Sequence, residues 1–309
     1  MSSKRTFLLL VTLVGLALVA GLRANASPVD APPGSESPER MASLFGRPVD
    51  LPDNRRRFGG PDRVSGLGTS SSTASSPVLT WQIETVDTGG AGGDVGQHTS
   101  LALDAGGHPH VSTYDALHGD LKYATYDGAQ WISQTVDSEG DVGSHTSLAL
   151  DSQGRPHISY YDATRGNLKL ARFNGEIWEI APVDEDGDVG QYTSLALDAD
   201  DTPHISYYDA SATALKYAVP KGSTWEKQTV DNSPVTGYCT SLALGPEEEP
   251  CISYVSTSGG ASQVKLACRH KDSWDIEPAY TIASPPFCGP SLALESRGRP
   301  HIAFCMGPP

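Results

Sequence analysis

The chain has 309 residues, with 37 acidic against 22 basic side chains and a formal charge of −15 at neutral pH. That balance speaks against nucleic acid and anionic membrane surfaces as partners, since both require a positive field. It suits divalent cations, and the length is ample for one large all-β domain behind a leader and a linker.

Lys4 and Arg5 precede an apolar run of 14 residues from Phe7 to Ala20, and Ala24-Asn25-Ala26 follows as a small-x-small cleavage site. This is the pattern of an export signal over residues 1–26, cleaved before Ser27. The apolar run is shorter than the roughly 20 residues a membrane span takes. No cysteine follows it to accept a lipid, so no membrane insertion is expected after cleavage. The expected location is secreted, periplasmic or at the cell surface. Residues 27–77 are rich in Pro, Gly and Ser and read as a disordered tether, because such composition buries too little apolar surface to offset its ordering entropy. Arg55-Arg56-Arg57 within it reads as a solvated charge cluster.

From Trp81 onward the chain repeats itself. Trp81, Trp131, Trp178, Trp225 and Trp274 mark the period, with spacings of 50, 47, 47 and 49 residues. Each unit carries four short runs of strand character. In the second unit they are Thr146–Asp151, His157–Tyr161, Leu168–Arg172 and Trp178–Val183, separated by turns rich in Gly, Pro, Asn and Asp. In the first run Leu148 and Leu150 lie on one face and Ala149 on the other, which suits a sheet packed on both sides. Four strands in about 47 residues, repeated without a helical period, predict an all-β fold over residues 78–309: a β-propeller of four-stranded antiparallel blades. We name the strands A to D from the axis outward. The count predicts five blades. A lone D strand at Trp81 comes first, four full sets follow, and the chain ends on an A strand (Ser291–Glu295) and a B strand (His301–Cys305). The last blade then lacks its C strand, and the first D strand, placed to close it, would lie beside B, the wrong neighbour in the wrong direction. The expectation is that a tether segment fills the gap, that the blade is frayed, or that the chain is a fragment of a larger propeller.

The C-to-D turns Tyr126-Asp127-Gly128-Ala129-Gln130-Trp131, Phe173-Asn174-Gly175-Glu176-Ile177-Trp178 and Lys221-Gly222-Ser223-Thr224-Trp225 resemble the Asp-box turn of sialidase-like and lectin-type secreted propellers. The family pattern is Ser-x-Asp-x-Gly-x-x-Trp. The first turn is one residue short of it, and the other two lack the Asp. The recurring HISYYD and LKYA segments are likewise similar to secreted bacterial propeller repeats. What the resemblance implies is scaffold, since fold alone does not determine function.

Strand direction puts the D-to-A and B-to-C loops on one face. That face collects Asp94, Asp141 and Asp188 of the GDVG loops, His98 and His145 just after them, Asp115, Asp162 and Asp209 at the ends of the B strands, and Tyr161, Tyr208 and Arg165. Carboxylates accept hydrogen bonds from sugar hydroxyls and tyrosine rings stack on apolar sugar faces, so these residues form a candidate ligand-binding face. Asp184, Asp186 and Asp188 are in addition weak candidates for a Ca²⁺ site, although their spacing departs from a calcium loop and no bidentate Glu follows. His110, His157, His204 and His301 open B strands on the opposite side, and Cys251 replaces the histidine in the fourth unit. One histidine per blade cannot converge on one ion, so a structural hydrogen bond in each blade is expected instead. Sialidase chemistry needs an arginine triad facing the substrate. Arg155, Arg297 and Arg299 lie in A-to-B turns, Arg172 and Arg269 on C strands, and only Arg165 on the candidate face, so no such triad is expected. All five cysteines fall in the last two units, which in an exported chain predicts disulfides. Hairpin register predicts Cys251 with Cys268, and neighbouring blades suggest Cys239 with Cys288, leaving Cys305 over.

Every prominent motif repeats, and no constellation is unique to one blade. The function expected is therefore an exported, non-enzymatic binding propeller that recognises a glycan or cell-surface polymer on this face. The alternatives are a carbohydrate-active hydrolase or lyase on the same face, and a structural propeller whose partner is a protein.

Overall fold

The structure, a computed structural model, describes residues 83–90, 93–258, 261–282 and 288–305. The chain divides into the units 1–77 and 78–309. The expected export signal and tether lie outside the described residues, as does Trp81. Among the described residues there is no helix, and none long and apolar enough to cross a membrane.

The 78–309 unit is a β-propeller. Strands β1 (Val95–Leu103), β2 (Pro109–Asp115), β3 (Asp120–Tyr126) and β4 (Trp131–Asp137) pair in that order into the first antiparallel blade. The second comprises β5 (Val142–Leu150), β6 (Pro156–Asp162), β7 (Asn167–Phe173) and β8 (Trp178–Asp184). The third comprises β9 (Val189–Leu197), β10 (Pro203–Asp209), β11 (Ala214–Lys221) and β12 (Thr224–Asp231). The fourth comprises β13 (Thr236–Leu244), β14 (Pro250–Ser258), β15 (Ala261–His270) and β16 (Ser273–Ile282). A fifth, of β17 (Cys288–Leu294) and β18 (Pro300–Cys305), has two strands. The first strands of successive blades are neighbours in space and form the inner layer.

The repeated residues are there to join one blade to the next. Between the first and second blades, Leu121, Tyr123 and Val136 face Leu148, Ile158, Tyr160 and Ala171 in one apolar cluster, and Ala102 leaves room for the next blade's leucine. The same cluster recurs between the second and third blades and between the third and fourth. The serine of each TSLAL segment ties the inner strands together. Ser100, Ser147, Ser194 and Ser241 accept the N–H of Leu148, Leu195, Leu242 and Leu292, each at 3.0 Å.

A buried ionic clip repeats farther out. The aspartate that ends the D strand in each of the first three blades receives a tyrosine and a lysine from the next blade. Tyr160 and Lys169 reach Asp137 at 2.6 and 2.5 Å, Tyr207 and Lys216 reach Asp184 at 2.7 and 2.6 Å, and Tyr254 and Lys265 reach Asp231 at 2.7 and 2.9 Å. Burial by itself would raise the pKa of Asp231, but the Ser233 N–H, the Tyr254 hydroxyl and the Lys265 ammonium hold it down at about 2. In the first blade Thr113 stands where the clip tyrosine would be, and Lys122 alone pairs with Asp87, at 2.7 Å.

The B-strand histidines serve the blades that carry them. His204 Nδ1 meets the Tyr217 hydroxyl at 2.5 Å, and His110 makes the same contact with Tyr123. On the other ring edge, Nε2 of His110, His157 and His204 lies 3.8, 3.7 and 3.3 Å from Asp104, Asp151 and Asp198, and His301 lies 2.7 Å from Glu295. Two departures from the repeat leave visible marks. Leu170 replaces the tyrosine in the second blade, and His157 Nδ1 is buried without a partner. Ser112, Ser159 and Ser206 pair with Thr146, Thr193 and Thr240 of the next blade, at 2.8, 2.9 and 2.8 Å. Pro290 stands where Ser253 would find its threonine, and the Ser253 hydroxyl is buried unpaired.

Three expectations change. Residues 83–90 form no strand, and no third strand pairs with β18 among the described residues. The segment instead lies against the first blade, where Asp87 accepts Lys122 and, at 2.6 Å, Ser133. The inner strands begin earlier than expected, at Val142 rather than Thr146 in the second blade, because a β-bulge interrupts the alternation. Of the two suggested bridges, Cys251–Cys268 is present across β14 and β15. Cys239 carries a free thiol. Its counterpart in the fifth blade is Gly289, where an added Cβ would come within 2.5 Å of the Cys239 Cβ, while Cys288 has its backbone opposite Cys305.

Candidate functional site

The inner-strand bulge builds the site. In VGQHTSLAL, VGSHTSLAL, VGQYTSLAL and TGYCTSLAL the third and fourth residues vary while the TSLAL that follows is constant. The fourth residues, His98, His145, Tyr192 and Cys239, have φ of 52, 56, 54 and 53°. A left-handed conformation costs a non-glycine residue on the order of 1 kcal/mol and tends to mark functional positions. Here it recurs in four consecutive blades at one register, and it turns each side chain into a common axial cavity of about 240 Å³. Thr99, Thr146, Thr193 and Thr240 line the next layer, and Gly289 and Pro290 of the fifth blade extend the lining.

The lining is aromatic and continuous. The imidazoles of His98 and His145 lie 4.4 Å apart between centroids, and His145 is 4.4 Å from the Tyr192 ring. Above them Tyr114, Tyr161 and Tyr208 sit 6.2, 6.3 and 6.3 Å from His98, His145 and Tyr192. Tyr114 and Tyr161 donate to Asp141 and Asp188 of the following blade, both at 2.6 Å. Val235 stands at the next aspartate position, and Tyr208 instead donates to Tyr238 at 2.9 Å, the two rings stacked at 4.3 Å.

Burial sets the charge of this cavity. It lowers the pKa of His98, and it lowers that of His145 to about 4 with help from the neighbouring imidazole. Burial and the bonds to Asp141 and Asp188 push Tyr114 and Tyr161 up to about 12, and burial raises the Tyr192 phenol and the Cys239 thiol. At neutral pH the histidines, tyrosines and cysteine of this lining are therefore uncharged, while Asp94 and Asp141 are exposed.

A pH dependence follows. His145 has a folded pKa below its unfolded value of about 6.5, so the unfolded chain takes up the proton first. Its contribution to stability is whole above about pH 6.5 and is lost as pH falls toward 4, an effect of about 2–3 kcal/mol. Denaturant midpoints measured between pH 7 and 4 should fall less steeply for His145→Asn, because asparagine tolerates positive φ and does not titrate. Parallel profiles for variant and wild type would refute the assignment.

Where do the expected residues stand? The D-to-A and B-to-C loops do share a face, joined by bonds from the N–H of Ala116, Ala163 and Ala210 to the carbonyls of Asp94, Asp141 and Asp188, all 2.8 Å. His98 and His145 line the axial cavity, Tyr161 lies beside His145, Asp141 and Asp188 accept Tyr114 and Tyr161, and Asp94 is exposed and accepts Gln97. Asp115, Asp162 and Asp209 do not line the cavity. They are buried and accept loop N–H groups, from Leu117 and His118, from Arg165, and from Ala212. Tyr208 is only 4 % exposed, with its hydroxyl on Tyr238. Arg165 stands away from the axis, bonded to Asp162 and to the Glu139 carbonyl. Asp184, Asp186 and Asp188 do not converge. Asp184 is buried under Tyr207, Lys216 and Lys227, Asp186 pairs with Lys227, and Asp188 receives Tyr161. Among the described residues no three ligating side chains are placed to hold a metal ion. No arginine lines the axial cavity, and Arg155, Arg172 and Arg299 pair with Asp151, Glu179 and Glu295.

Sequence reasoning missed Tyr114, Tyr192, Tyr238 and Cys239. For Tyr192, Tyr238 and Cys239 the signal was the pair of variable columns just before the constant TSLAL, positions free of scaffold duty.

No family model matches the sequence, and no curated protein does. Among solved structures the chain is similar to a protein of unknown function from Dyadobacter fermentans, at 11% identity over 67% of this chain and 74% of that one, with a TM-score of 0.50. It is also similar to the six-bladed lectin of Aleuria aurantia (13%, 69% and 70%, TM-score 0.45) and to a fucose lectin from Kordia zhangzhouensis (21%, 42% and 96%, TM-score 0.33). The first of these likenesses concerns the fold alone.

Proposed function

We propose that this chain is an exported, non-enzymatic binding propeller that receives a neutral glycan in its axial mouth. Residues 1–26 would act as the export signal and 27–77 as a tether. One observation carries the reading: four register-equivalent residues in four blades adopt a left-handed backbone to face a single uncharged, aromatic cavity. Imidazole, phenol, thiol and threonine hydroxyl groups there offer hydrogen bonds, and the rings offer stacking surface. A polyhydroxylated, uncharged ligand matches both. The disulfide between Cys251 and Cys268 supports an oxidising location.

A glycan array followed by calorimetry tests this. Tyr192→Ala should weaken the best ligand about tenfold or more, and chelating Ca²⁺ should leave binding unchanged. Absence of any glycan binding, or binding indifferent to both Tyr192→Ala and His145→Asn, would overturn the reading. Turnover of the bound glycan would replace it with the hydrolase or lyase alternative.

A further inference from the structure

The cleft between the first two blades departs from its sister clefts in a way that specifies a ligand. Between the second and third blades, Asp184 and Asp186 together hold the ammonium of Lys227, which lies 2.9 Å from Asp184 and in direct contact with Asp186. One repeat of 47 residues earlier stand Asp137, Glu139 and Ile180. The carboxylate pair is kept, and the lysine that fills its sister is an isoleucine. What results is a cleft of about 500 Å³, whose lining includes Ile180 and Pro182 together with Glu139, Arg165 and Glu185.

The cations already present do not replace the missing lysine. The Glu139 side chain is 81% exposed, and Arg165 approaches it only to 4.0 Å. Arg165 directs its closer bonds to Asp162 and to the Glu139 carbonyl, and Lys169 belongs to the clip on Asp137. Four carboxylates, Asp137, Glu139, Asp162 and Glu185, therefore face two cations in this cleft. Among the described residues the sister positions lack the combination. Beside Asp87, Ser133 holds the isoleucine position and bonds that carboxylate. Between the third and fourth blades, Ser233 replaces the second carboxylate and bonds Lys265.

We propose that this cleft binds a primary alkylammonium, the side chain of a peptide lysine, with its nitrogen between Asp137 and Glu139 and its stem along Ile180 and Pro182. The protein's own Lys227 shows the seat: an ammonium between two carboxylates. Probe and site both differ from those of the axial mouth, so this inference stands or falls separately from the glycan reading.

Calorimetric or NMR titration of the full chain with Nα-acetyl-lysine methylamide is the test, with the Nε-acetylated probe as its uncharged control. The lysine probe should bind and the acetylated one should not. Glu139→Gln should weaken binding about tenfold or more, the loss of one charge-assisted hydrogen bond. Ile180→Lys, which rebuilds the arrangement the third blade already tolerates, should abolish binding and leave the fold intact. Equal binding of both probes, no binding of either, or undiminished binding by a folded Ile180→Lys variant would overturn the assignment.

Discussion

Asp184→Asn should destabilise the propeller by about 3–5 kcal/mol, the cost of leaving buried cations without their counter-charge. The Asp184 side chain is fully buried and receives Tyr207, Lys216 and Lys227. The substitution keeps volume and removes charge, so Lys216, itself nearly buried, is left facing a neutral amide. Asp87→Asn is the internal comparison, because Asp87 is more exposed, is reached by one lysine, and has no clip tyrosine. Its loss should come closer to the modest value of a partly solvated pair, about 1 kcal/mol. Adding Lys216→Met to Asp184→Asn should recover part of the deficit, since an apolar replacement of a buried ion pair is often tolerated. Urea unfolding of the four proteins measures all three expectations. Equal losses at Asp184 and Asp87 would show that the clip does not depend on burial.

The second large effect is steric. Gly143 has φ of +105°, and an added Cβ would stand 2.6 Å from the Leu121 Cα and 2.8 Å from its Cβ. Here the inner strand of one blade meets the start of the C strand of the blade before it, backbone against backbone. Gly190 makes the same approach to Leu168 one blade later, at 2.8 Å. Gly96 has the same conformation, φ of +104°, but nothing within 4 Å. Gly96→Ala therefore measures the conformational cost alone, about 1–2 kcal/mol, while Gly143→Ala adds the displacement of a blade and should exceed about 4 kcal/mol. Thermal unfolding of both variants separates the two contributions. Similar losses in both would mean that the blades separate at no cost to accommodate a methyl group.

These two comparisons also show why the repeat was readable and the site was not. Leu148 against Ala149, the His-to-Asp contacts within each of the first three blades and the turns around Asp127 and Asn174 are local, and period and composition express them directly. Cys251 and Cys268 lie in one hairpin, where counting from the turn gives the register. Cys239 and Cys288 lie in different blades, and a single residue of offset puts Gly289 where a disulfide partner would have to be. The bulge is of the same kind. It adds a residue to the inner strand, reverses the face that simple alternation assigns, and takes His145 from a loop edge to the axis.

The sequence by itself determined the all-β blade, its period, the shared face of the D-to-A and B-to-C loops, and the structural duty of the B-strand histidines. Each of these follows from patterns within one unit of about 47 residues. Only the tertiary structure decided which residues on that face are available. Asp115, Asp162 and Asp209 look like ligand carboxylates in sequence, yet the loop N–H groups claim them once the chain turns. Tyr192 and Cys239 look like scatter in a repeat, yet equivalent positions in separate blades converge on the axis. Convergence of distant residues, and competition between a ligand and the backbone for the same oxygen, are properties of packed blades, which no single repeat contains.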